Sequence, residues 1–142
     1  MPDIFSKETR SKIMRSIRSK TKLEDLVCRE LWRRGIRFRR NSKDLLGKPD
    51  ISIKKYKIVI FIDSCFWHYC PIHGHFPKSN SEYWEKKLNR NIQRDEKVNS
   101  YYQDNDWNLL RIWEHQIKDD FSETIDHIVQ FIENIKSRSQ NV

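Results

Sequence analysis

Apolar positions along this chain follow two rhythms. Leu23, Leu26, Val27 and Leu31 recur at helical spacing, interrupted by Glu30. Thr21 with Glu24 three residues on is a capping-box pattern, and Gly35 is a natural stop, so a helix is expected over 21–35. Upstream, Ile13, Met14 and Ile17 form a shorter stripe among Arg10, Lys12, Arg15 and Arg18. That predicts a basic amphipathic helix within 6–20, too short to be stable alone. The rhythm then changes to two. "IRFRRN" (36–41) alternates and suits an edge strand, and "DLLGKPD" turns the chain at its Gly and Pro. "DISIK" (50–54) and "KIVIFID" (57–63) read as strands joined tightly around Lys55 and Tyr56. The second is almost wholly apolar and β-branched, which places it centrally in a sheet.

Residues 64–80 interrupt the pattern as a loop rich in Cys, His and aromatic residues. A long helix is expected over 81–104, with Trp84, Leu88, Ile92 and Val98 facing inward only loosely. "WNLLRIW" (107–113) is another core strand, and Ile125, Ile128, Val129, Ile132 and Ile135 mark a closing helix over 122–137. A long helix between strands 57–63 and 107–113 suits a crossover between parallel neighbours. The expected fold class is α/β: a mixed sheet with helices on both faces.

Length and charge sharpen this picture. The 142 residues point to one domain of ordinary size. No apolar run approaches a membrane span and the N-terminus lacks a signal-peptide core, so a soluble cytoplasmic protein is expected. The net charge of +8 is uneven: residues 1–40 carry 13 basic and 5 acidic side chains, and the remainder balances. A basic N-terminal third on an otherwise neutral remainder suggests contact with a polyanion, nucleic acid first, with a basic arm expected over 1–20 ahead of the main domain over 21–142.

Two clusters carry candidate chemistry. In "CFWHYCPIH" (65–73), Cys65, Cys70 and His73 offer thiolate and imidazole ligands from one loop, a set that favours tetrahedral Zn²⁺. His115, just past strand 107–113, is a candidate fourth ligand, with His68 and His75 as competitors. Such a clip would shape a loop too poor in aliphatic residues to shape itself. Cys28 reads as a buried small hydrophobe. The second cluster is carboxylate. Asp50 opens one strand of a hairpin and Asp63 closes the other, so their far ends can meet and hold Mg²⁺ at a phosphate. His68 is a possible proton carrier and Glu24 a further acid. Asp50 could equally be a turn residue, Glu24 only a cap, and Phe66 and Trp67 simply core.

Together, "TRSKIMRSIRSK", "GKPDISI", "VIFIDSCFWHYCPIHGH", "SEYWEKKLNRNIQRD" and "WNLLRIWEH" resemble, in order, the very-short-patch repair (Vsr) DNA mismatch endonucleases. The resemblance covers roughly residues 5 to 118 and implies a restriction-endonuclease-like core. It also implies Mg²⁺-dependent nicking beside the thymine of a T:G mismatch, the product of 5-methylcytosine deamination. Position by position, it makes Asp50 the metal-binding aspartate, His68 the catalytic histidine and Glu24 the N-terminal active-site glutamate. Cys65, Cys70, His73 and His115 become structural zinc ligands, and His115 stands where cysteine also occurs in the family. Phe66 and Trp67 become an intercalating wedge, Trp84 an aromatic supporting it, and Met14 a residue inserted from the opposite groove. Lys12, Arg15 and Arg18 would lie on phosphates. Ile62 replaces a small polar residue, so only its backbone carbonyl serves the metal. Asp63 stands where histidine can occur, as a second metal carboxylate or a partner orienting His68. A cytosine-5 DNA methyltransferase and mismatch-repair proteins are the implied associates.

Overall fold

A computed structural model of the chain describes residues 21–64 and 81–140. The elements are a helix α1 over residues 21–33, then β1 (Arg39–Arg40), β2 (Ile51–Ile53), a 3-10 turn (Lys54–Tyr56) and β3 (Ile58–Asp63). They continue with α2 (Ser81–Asp104), β4 (Asn108–Trp113), α3 (Glu114–Asp119) and α4 (Phe121–Gln140). One four-stranded sheet runs in the order β1-β2-β3-β4. β1–β2 and β2–β3 are antiparallel, and β3–β4 is parallel across the α2 crossover, from Ile58↔Asn108 to Asp63↔Trp113.

Alternation along β3 divides the core in two. Ile58, Ile60 and Ile62 face Val27, Cys28 and Leu31 of α1 and Ile125, Ile128 and Ile132 of α4 in one buried cluster. Val59 and Phe61 face Val98 and Tyr102 of α2 in another. Helices therefore cover both faces, and β3 is buried throughout, as its β-branched run requires. On α2, Trp84 and Leu88 are fully buried and Val98 nearly so, a firmer seat than the loose stripe suggested.

The ends of α1 show how local sequence sets the fold. The Gly35 and Ile36 amides donate to the Trp32 and Leu31 carbonyls at 3.0 and 3.1 Å, with Gly35 at φ +88°. This is a Schellman stop, and Ile36 and Leu31 are buried together beside it. Toward its other end the helix is described from residue 21. Thr21 is already helical, and the Glu24 carboxylate meets the Arg40 guanidinium. Two differences have local causes. The 36–41 strand shrinks to Arg39–Arg40, the only stretch with register partners in the short β2. Beyond β4 the chain enters α3 directly; the Gln116 side chain accepts the Trp113 N–H at 2.8 Å and starts that turn.

Candidate active site

The site forms where the start of β2 and the ends of β3 and β4 share one edge of the sheet. The loop before β2 is pinned first. Tyr102 donates its hydroxyl proton to the Leu46 carbonyl. Gly47 packs so closely that a β-carbon would lie 2.9 Å from Val98 Cγ1, and its φ of +75° is one that side-chain-bearing residues avoid. Lys48 follows at φ +55°, its N–H donating to the Leu45 carbonyl at 3.1 Å. Pro49 then delivers Asp50.

Asp50 is 6% exposed, and its Oδ2 accepts the Ile62 N–H at 2.7 Å. The register explains why. Ile51 pairs with Ile60, so position 49 falls opposite Ile62. Proline has no N–H to give the Ile62 carbonyl, while the Ile62 N–H is taken by the Asp50 carboxylate. In an extended strand a residue's N–H and C=O point to the same side. The Ile62 carbonyl therefore faces the edge where Asp50 sits, and position 49 offers it no donor. A carboxylate and a main-chain carbonyl side by side are hard oxygen donors, the kind Mg²⁺ takes while keeping several of its waters. The residues present fit that ion.

Asp50, Ile62 and Asp63 line one cavity of about 340 Å³. Its other walls carry Lys48, Lys87, Arg94 and Arg111, four cations against the carboxylates Asp50, Asp63 and Asp95. Asp63 is buried, and both its oxygens lie near Arg111 Nη1, at 2.9 and 3.2 Å. Arg111 is itself fixed: its Nε donates to Asn99 Oδ1 at 2.7 Å, and its Cζ lies 4.4 Å from the Phe61 ring centre. Nothing in the sequence pattern singled Arg111 out; an arginine within a strand reads as an outward residue.

Glu24 approaches from α1. It is 7% exposed, and Arg40 Nη2 donates to it at 3.3 Å and to Asp25 at 2.6 Å. The charges of this acid and of Asp50 both reach Cys28. Burial pushes its thiol up to about 12; Arg40 draws it down, and the charges of Glu24, Asp50 and Asp25 add to the rise. Its expected place as a buried hydrophobe is met, and its surroundings put Glu24 and Asp50 in one neighbourhood. At the β4 end, Ser64 donates to the buried Glu114 at 3.4 Å, tying the exit of β3 to the residue before His115. His115 borders a separate cavity with Asp119, Glu123 and His127.

The family model described as DNA mismatch endonuclease Vsr matches residues 2–75, more than half of the chain. The chain belongs to the Vsr family. It is 43% identical over 121 residues to the type II nicking enzyme V.NmeAIP of Neisseria meningitidis serogroup A, covering 83% of this chain and 86% of that one. It is 43% identical over 115 residues to V.HpaIIP of Haemophilus parainfluenzae, a type II nicking enzyme, covering 78% and 82%. It is also 36% identical over 120 residues to DNA mismatch endonuclease Vsr of Escherichia coli K12, covering 80% and 74%.

In this Vsr-family chain the structure brings together Asp50, Ile62 and Asp63, with Glu24 near by. Trp84 is fully buried. Lys12, Met14, Arg15, Arg18, Cys65, Phe66, Trp67, His68, Cys70, His73 and His75 lie outside the described residues. Among the described residues no cluster of three or more His, Cys, Asp or Glu could hold a metal, and no helix is long and apolar enough to cross a membrane.

Proposed function

We propose that the protein is a strand-specific endonuclease that nicks the thymine strand at T:G mismatches by Mg²⁺-dependent phosphodiester hydrolysis. The observation that carries this reading is the Asp50 carboxylate pinned on the Ile62 amide, in a cavity rimmed by four cations, within a chain of the Vsr family. The names of its relatives, mismatch endonuclease and nicking enzymes, support cutting of one DNA strand.

Asp50 and the Ile62 carbonyl would hold Mg²⁺. When bound, the ion supplies positive charge beside the scissile phosphate and its leaving 3′ oxygen. His68 takes the proton of the attacking water, Glu24 orders solvent from the α1 side, and a 5′-phosphate results. Phe66 and Trp67, with Met14 from the other groove, part the stack at the mismatch, with Trp84 beneath as support. Prying a base step apart costs a few kcal/mol, and a wobble pair is the weaker place to do it. Lys12, Arg15 and Arg18 of the basic segment 1–20 offset that cost on the phosphates.

A structural Zn²⁺ on Cys65, Cys70, His73 and His115 would brace the wedge. One feature of the sheet supports it: Asp63 and Trp113 are register partners, and Cys65 and His115 each follow one of them by two residues. The protein would act in the cytoplasm, downstream of a cytosine-5 DNA methyltransferase and beside mismatch-repair proteins. The test is nicking of T:G, T:A and branched duplexes with and without Mg²⁺. Asp50→Ala is expected to abolish nicking while leaving mismatch binding in place. Equal cutting of T:A or branched DNA, or cutting by Asp50→Ala, would overturn the reading.

A further inference from the structure

The cavity beside Asp50 adjoins a second, shallower one, and Lys48 and Arg94 line both. They stand on the lip between the two. The second cavity is also lined by Lys43, Asp44 and Tyr101, and its acid is taken, since Lys54 pairs with Asp44. In the first, Asp63 is held by Arg111. Lys48 and Arg94 are exposed, and among the described residues neither makes an ion pair. Among the described residues they are cations with no ion-pair partner.

Their placement is built, not incidental. Arg94 lies one helical turn before Val98, the residue on which Gly47 packs, so the Gly47–Val98 contact brings Lys48 and Arg94 to the same lip. Lys48 is held between Gly47 and Pro49 with a left-handed backbone that its own side chain disfavours. Strain of this kind persists where the surrounding structure fixes it, and it collects at working sites. Two residues of chain span at most about 7 Å, so the Lys48 backbone cannot stand far from Asp50.

We infer that Lys48 and Arg94 form a clamp for one phosphodiester of the strand being cut, adjacent to the phosphate at Asp50. The inference rests on the nicking reading and names a second contact of the same site. The clamp fixes where the cut strand leaves the cavity, and both residues act as point charges on non-bridging oxygens.

The test measures binding of a T:G duplex without divalent metal, so that cleavage plays no part. Lys48→Gln and Arg94→Gln are each expected to lower the slope of log K against log salt by about one, and Lys48→Arg to retain it. Single methylphosphonates, which remove one phosphate charge, are then walked along the cut strand. Wild type is expected to lose affinity at one position near the nick, and the double variant to show no further loss there. An unchanged salt slope in thermally stable variants, or additive losses at every position, overturns the clamp. A lowered slope in a protein that does not nick T:G duplexes keeps the clamp and sinks the nicking reading. Normal nicking with an unchanged slope does the reverse.

Discussion

The Asp63–Arg111 pair decides what the second carboxylate of the site is for. Asp63 is 4% exposed, and Arg111 Nη1 lies 2.9 Å from one of its oxygens. At that distance, and at an effective dielectric of about 20, the attraction is on the order of 5 kcal/mol. Desolvation of both groups cancels most of it, so the pair contributes little net stability. Removing one partner is another matter. Arg111→Met leaves a buried carboxylate without its guanidinium and should cost about 3–5 kcal/mol. Asp63→Leu should cost less, because the Arg111 side chain retains 18% exposure and keeps Asn99 and Asp95. The double variant should recover much of the loss, a coupling of about 2–3 kcal/mol in urea-denaturation free energies. Nicking by the folded double variant then separates the roles. If Asp63 serves the fold, activity stays within about tenfold of wild type, a barrier change near 1.4 kcal/mol. If Asp63 is a metal ligand, activity falls as far as in Asp50→Ala. A cost below about 0.5 kcal/mol for Arg111→Met would refute the reasoning, since a change that small is typical of surface sites.

Two further outcomes test the surroundings. Gly47→Ala puts a β-carbon 2.9 Å from Val98 on a backbone of φ +75°, and should destabilise by about 2–3 kcal/mol in thermal or urea unfolding; an unchanged midpoint would mean the loop is not seated on α2. Cys28, its thiol pushed up to about 12 by burial, stays protonated at neutral and mildly alkaline pH. Its peptide should therefore resist iodoacetamide at pH 8 in the native protein and react fully in urea, as read by mass spectrometry.

Patterns that repeat along the chain were legible in it. The apolar run of β3, the 24-residue α2 and the glycine stop of α1 all follow from spacing and residue type. Asp50 and Asp63 were placed at one sheet edge from the hairpin between them. What depends on distant partners was not visible. Alternation over 36–41 promised a longer strand, but an edge strand is only as long as its neighbour allows, and Phe38 turns edge-on to Trp32 instead. The short α3 has one buried apolar residue, Ile117, too few to show a helical stripe. Arg111 has its meaning from Asp63, 48 positions upstream, and Lys48 from a cavity shared with Arg94. The Pro-Asp motif falls between the cases. Its residues stood out, but the reason proline precedes the acid needed the register of β2 on β3.

That register is also what assembles the chemistry. Side chains alternate faces along a strand, so a slip of one residue between β3 and β4 would send a whole set to the wrong side. Phe61 and Arg111 are partners across this pair, and Asp63 lies two residues beyond Phe61 on the same face. A slipped β4 would carry Arg111 away from Asp63 and leave a buried carboxylate without its guanidinium, a cost as large as that of deleting the arginine. The pair therefore penalises misregister more than it stabilises the correct sheet. In the correct register, β3 ends level with β4 at Asp63 and Trp113, and Ile62 stands opposite the proline that frees its carbonyl. Asp50, the Ile62 carbonyl and the exits toward residues 65 and 115 then share one edge because two strand pairings agree.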